Sequence, residues 1–163
     1  QRTAPPAAPQ SASALDDAAV RLIRSSDTFF IATHAATAGP ARATGADVSH
    51  RGGNPGFVRV DDDATLLWPD FIGNNFFNTL GNLHVNPSAG LLFPDFESGD
   101  LLHLAGTCEI VWDGHDLQAF EGAQRLVRFQ VERMYRRPQA LPWRFSAPEP
   151  SPFLAGTGAW PAR

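Results

Sequence analysis

Lysine is absent from the 163 residues, so all 13 basic side chains are arginine. Without a side-chain amine the protein cannot form a Schiff base with a carbonyl substrate or hold pyridoxal phosphate as an internal aldimine. It also lacks the lysine that a Walker-type phosphate loop requires. Cysteine occurs once, at Cys108, and one thiol makes neither an intrachain disulfide nor a thiolate-rich metal site. That usage fits a reducing compartment, and a cytoplasmic location is expected. No run approaches the roughly 18–20 apolar residues that span a bilayer as a helix, so no integral membrane protein is expected. Clustered bases are missing too. With 17 acids against 13 bases and a formal net charge of −4, a nucleic-acid partner or an anionic membrane surface is not expected.

Several catalytic signatures are likewise missing. No G-x-S-x-G elbow occurs, and Cys108 alternates with core-type residues, so acyl transfer through Ser or Cys is not expected. Asp70, Asp95, Asp100 and Glu109 form no acid/base pair that sequence alone reveals. His34, His50, His84, His103 and His115 are scattered without the paired spacing that holds zinc or non-haem iron, and no metal site is expected.

What remains is 43% hydrophobic residues with 14 Gly and 14 Pro, in a chain long enough for one sizeable core. The order reads as a flexible Pro/Ala-rich segment over 1–13, a folded domain over 14–137 and a Pro-rich extension over 138–163 that packs on the domain or on a partner. A targeting segment ahead of residue 1 is left open. Past Ser13, LDDAAVRLIRSS puts acids first, Arg24 late and Leu15, Ala18, Ala19, Leu22 and Ile23 at helical spacing, which predicts an amphipathic helix. TFFIATHA from Thr28, ARATGADVS from Ala41, GFVRV from Gly56 and TLLW from Thr65 predict strands, with Asp61, Asp62 and Asp63 in a turn.

GNNFFNTLGNLHVNP has Phe76, Leu80 and Leu83 at helical spacing, with Asn74 or Asn75 as cap and Pro87 as stop. Ala89 to Phe93 and Asp100 to Trp112 predict two strands, the latter alternating Leu102, Leu104, Gly106, Cys108, Ile110 and Trp112 against Leu101, His103, Ala105, Thr107 and Glu109. A short helix near Asp116 to Glu121 leads to a last strand over Arg125 to Tyr135. Many strands, few helices and no β-α alternation predict a mainly β (α+β) fold, an antiparallel barrel with short peripheral helices.

Two stretches suit a ligand. In VSHRGGNPGFVRV, His50 and Arg51 and a Gly-rich turn precede a strand, letting backbone approach a flat or anionic ligand. In WPDFIGNNFFNTLGNL, Asn74, Asn75, Asn78 and Thr79 sit in or before a first helical turn whose free N–H groups favour a phosphate. Either alone also reads as an ordinary turn or cap.

Taken in order, SHRGGNPGFVRV, TLLWPDFIGNNFFNTLGNLHVNPSAGLLF and LLHLAGTCEIVWD resemble the FMN-binding split-barrel proteins related to pyridoxamine 5′-phosphate oxidase. The resemblance covers Asp27 to Asp113 and continues more loosely through EGAQRLVRF to SPFLAGTGAW. It implies a six-stranded antiparallel split barrel that forms a homodimer, with FMN in clefts at the interface. By position it assigns Gly56, Phe57, Val58 and Arg59 to the strand whose backbone faces the isoalloxazine, and Trp68, Pro69 and Asp70 to the ribityl side. Asn74, Asn75, Asn78 and Thr79 correspond to the phosphate loop and helix start.

The same resemblance makes Arg51 and His50 the loop that closes over the flavin and the candidate catalytic groups, with Arg125 and Arg128 reaching in from a later strand. The oxidase's Arg-Lys pair is replaced here at about Asn78 and Thr79, so phosphate binding would lean on helix N–H groups, amides and Arg51. Its terminal Arg-x-His motif is missing, and oxidation of pyridoxamine phosphate is not expected. The implied function is flavin-mediated hydride or electron transfer from a reduced nicotinamide or small substrate, with a reductase as a further partner, since similar members occur fused to one. The alternative is a non-catalytic flavin- or haem-binding module, for which His50 or His34 would be the axial ligand.

Overall fold

The computed structural model describes residues 8–35, 45–73, 77–143, 145–146 and 148–161. One antiparallel sheet dominates. Its long strands are β2 (Thr28–Ala35), β3 (Gly45–Gly52), β5 (Thr65–Phe71), β6 (Ser88–Pro94), β7 (Leu101–Val111) and β8 (Ala123–Arg137). Two short ones, β1 (Gln10–Ala12) and β4 (Arg59–Val60), bring the total among the described residues to eight where the resemblance implies six. The order is β3-β2-β6-β7-β8-β5-β4, with β1 added to β8. The extra pair is minor: β1 extends the sheet beside Met134 to Arg136, and β4 is the remnant of the GFVRV strand.

That strand is shorter than its sequence suggests for a local reason. Asn54-Pro55-Gly56-Phe57 closes a turn, Phe57 N–H donating to the Asn54 carbonyl at 2.9 Å while Gly56 adopts φ +89°. Phe57 and Val58 then drop into the core, leaving only Arg59 and Val60 to pair with β5. The N-terminal segment read as a linker likewise contributes β1 at Gln10–Ala12.

Alternation along the strands builds the core on one face of the sheet. Phe29 stacks on Phe93 at 4.9 Å and meets Trp68 edge-on at 5.1 Å, and Trp68 lies 6.4 Å from Phe129. Helix α1 (Asp17–Ser25) covers part of it with Ala19 and Ile23, Leu15 joining from just ahead of the helix. Burying a side chain such as Ile23 contributes about 2 kcal/mol. Its cap is Asp16, which accepts from Ala19 N–H at 2.8 Å. Helix α2 (Asn78–Val85) buries Leu80 and Leu83 against β2 and β3. It begins at Asn78, later than expected, after Phe77 with no side-chain cap, and Asn74, Asn75 and Phe76 lie outside the described residues.

β5 is buried on both faces, which ordinary alternation would not give. Trp68 faces the core, while Leu67 and Pro69 turn the other way. Helix α3 (His115–Gln118), Phe120 and the C-terminal extension lie on that outer side: Trp160 meets Phe120 edge-on at 4.8 Å, and Phe120 lies 5.8 Å from Phe71. The extension contains a 3-10 turn over Pro152–Gly156 and returns onto its own barrel.

Candidate functional site

At one end of the sheet the core-facing positions cease to be apolar. Asp70 follows Trp68 by two residues on β5, Arg125 precedes Val127 by two on β8, and these two pairs stand opposite each other in register. Arg51 on β3 lies across from Phe29 and so shares that face. Strand periodicity therefore delivers three charges to one mouth of the barrel. Arg125 Nε lies 3.4 Å from Asp70 Oδ2, their side chains 11% and 14% exposed. The pair is close enough for ionic attraction, yet its geometry makes no hydrogen bond, and among the described residues the buried Arg125 Nε finds no hydrogen-bond acceptor. Arg125 Nη2 is held instead by Gln124 Oε1.

Burial raises the Asp70 carboxyl above the ordinary carboxylate range, while the positive charges of Arg51 and Arg125 pull it back. Two guanidiniums around one carboxylate leave the mouth net positive. Its walls are aromatic: Trp112 and Phe77 each lie with ring centroids 5.5 Å from the Arg125 guanidinium carbon. Trp112 is 63% exposed and Phe77 53%, large apolar surfaces left open beside a buried charge. A largely buried cation beside a flat apolar wall is suited to an anionic aromatic ligand.

The structure does not gather all the residues expected here. His50 neighbours Arg51 on an extended strand and so faces oppositely, its ring 5.9 Å from Phe30. His34 pairs with Asn86, whose Nδ2 lies 2.9 Å from its Nε2. Arg59 stands across from Leu67 on the outer face, bound to Asp61 at 2.7 Å and Asp116 at 2.9 Å. Arg128 is also on the outer face, 2.6 Å from Glu109. Phe57, Val58 and Trp68 are core residues and Pro69 is buried. The Phe57 carbonyl already accepts from Trp160 Nε1–H at 2.8 Å.

At the start of α2, Asn78 is exposed, whereas the buried Thr79 hydroxyl donates to Asp47 Oδ2 at 2.7 Å and lies 2.7 Å from Ser49 Oγ. A carboxylate at that helix N-terminus complements its positive end and repels a phosphate. Of the expected residues, Arg51, Asp70 and Arg125 come together. Phe77 and Trp112 were missed as site residues. Trp112 carried a signal nonetheless, an aromatic at an inward position where the alternating strand runs out of core.

A family model described as pyridoxamine 5′-phosphate oxidase matches residues 15–142. Among solved structures, a HupZ variant from Group A Streptococcus is 18% identical, with TM-score 0.58 over 75% of this chain and 98% of that one. A protein from Lactobacillus delbrueckii, described provisionally as a pyridoxamine 5′-phosphate oxidase, is 16% identical with TM-score 0.57, covering 76% and 94%. A relative of general stress protein 26 from Clostridium acetobutylicum, 16% identical, gives 0.50 over 75% and 87%. No curated protein matches the chain. At these identities the structural likeness speaks for the fold.

Proposed function

The chain belongs to the pyridoxamine 5′-phosphate oxidase family of FMN-binding split barrels, and from that premise we propose that it binds FMN in the Arg51–Asp70–Arg125 mouth and works as a flavin-dependent oxidoreductase. The observation that carries this reading is the buried Arg125 Nε, ion-paired with Asp70 but without a hydrogen-bond acceptor among the described residues, beside two open aromatic faces. An unsatisfied buried donor costs about 1–3 kcal/mol, which a bound acceptor would recover. Arg51 and Arg125 supply charge for the phosphate or for negative charge on the ring. Trp112 and Phe77 supply flat apolar walls that exclude water. Asp70 fixes the Arg125 side chain across the strand pair.

Bound FMN supplies hydride and single-electron transfer, so the protein's part is position and electrostatics. The Asp47 carboxylate on Thr79 favours assigning the phosphate to the arginines over the start of α2. The donor is a reduced nicotinamide or a small reduced substrate, with a reductase as a further partner. The working unit is a homodimer whose interface closes the mouth, a role that exposed Ile72, Phe77 and Trp112 support.

Absorbance of the purified protein followed by FMN titration tests the reading. Stoichiometric binding with two flavin bands, bleached by NADH or NADPH without oxygen, is the expected result. Arg51→Ala and Arg125→Ala should each weaken FMN binding about tenfold or more. Arg51→Ala should slow reduction more than it lowers stability. Absence of binding overturns the assignment, and a sharp Soret band instead would move the site to the face carrying His50 or to His34.

A further inference from the structure

The C-terminal extension makes contacts that are too specific for a passive tail. Gly158 N–H donates to the Glu121 carbonyl at 3.0 Å, and Asn54 Nδ2 donates to Thr157 Oγ1 at 3.3 Å. Trp160 Nε1–H donates to the Phe57 carbonyl, and its ring lies 4.4 Å from the Arg59 guanidinium carbon and edge-on to Phe120. The backbones touch so closely that a Cβ on Gly122 would sit 2.7 Å from the Gly156 carbonyl oxygen, and one on Gly158 would sit 2.9 Å from Glu121 N. One five-residue stretch thus holds two separate turns. The first, Asn54 to Phe57, leads out of the strand that carries Arg51. The second, Glu121 to Gly122, leads into the strand that carries Arg125.

We propose that Gly156–Trp160 is a clasp that fixes the spacing of Arg51 and Arg125 by tying the turn after β3 to the turn before β8, with Trp160 as its positioning residue. The inference rests on the flavin reading for its ligand, though the clasp itself is defined without one. Trp160 lies on the outer face against Phe120 and Arg59, whereas Asp70 and Arg125 share the inner face with Trp68 and Val127, so it acts through the turns it joins. Arg59 serves the same end. Held by Asp61 and Asp116, it offers a fixed cationic face on which the indole rests.

The test uses the full chain as Trp160→Ala, Trp160→Phe and Gly158→Ala, with amide hydrogen exchange and FMN affinity measured side by side. In Trp160→Ala, amides of residues 51–57 and 121–126 should lose protection together, by about tenfold, while β6 and β7 stay protected. FMN Kd should rise about tenfold with a loss in Tm below about 3 °C, a split that general destabilisation would not give. Trp160→Phe keeps the ring but not the hydrogen bond and should recover part of the affinity. Gly158→Ala should reproduce Trp160→Ala by lifting the segment off Glu121.

Exchange that changes only within residues 156–161 overturns the clasp. Coupled loss of protection with Kd unchanged within about twofold overturns its positioning role, because misplaced binding groups lose affinity steeply. If the wild-type chain binds no FMN, the flavin reading falls, and the exchange pattern alone then supports or overturns the clasp.

Discussion

Asp70 is where the fold works against an ionised group. Its raised pKa means that the native state holds its proton more tightly than the unfolded chain does. Between the ordinary carboxylate range and the raised native value, the Asp70 contribution to stability therefore falls as pH rises, the reverse of a salt-bridged acid. Asp70→Asn should remove that slope, seen as a flatter Tm against pH just above the ordinary carboxylate range. An unchanged profile would mean that Arg51 and Arg125 fully offset the burial. Cys108 is a buried core residue of β7. Burial pushes its thiol up to about 12. Almost no thiolate exists at pH 8, so a thiol reagent should leave the native protein unlabelled and react only after denaturation.

Secondary elements were legible in the sequence wherever alternation or helical spacing ran uninterrupted. β2 falls on TFFIATHA, and β6, β7 and β8 fall on the apolar runs read for them, with β8 longer at both ends. The GFVRV strand was misread because Phe57 and Val58 are core residues delivered by a turn rather than by a ladder, and propensity does not separate the two. The start of α2 was placed too early because asparagines signal caps wherever they stand. The site was legible only in part. Arg51, Asp70 and Arg125 were named, but their meeting depends on register between β5 and β8, which no local pattern states. Within α1 the local signal was sufficient. Asp16 caps the helix and also pairs with Arg136, whose hydrogen bond holds its carboxyl below the usual range. Asp16→Ala should cost about 1 kcal/mol near neutral pH. Because that pKa is depressed, the contribution should vanish as pH falls through it, so wild type and variant should converge in acid melts.

Taken whole, the molecule leaves large apolar side chains open in several places, and Phe77 and Trp112 are the ones set beside the Arg125 guanidinium. Ile72, Phe77 and Trp112 are 76%, 53% and 63% exposed, and the proposed homodimer would cover them. Light scattering at micromolar concentration should give a dimer, and Trp112→Asp should shift it toward monomer while weakening FMN binding. A wild-type monomer that binds FMN fully would separate the cofactor from the interface. The sheet order bears on how the chain is made. β5 ends at Phe71, but the strand that pairs along its length starts only at Ala123. During synthesis Leu66, Leu67 and Trp68 emerge with only the two-residue β4 beside them, long before their main partner exists. Contacts that far apart in the chain form slowly and late, so the nascent protein passes through a stage with its stickiest strand uncovered. Yield in cells should accordingly depend less on final stability than on how well chaperones shield that one segment until β8 arrives.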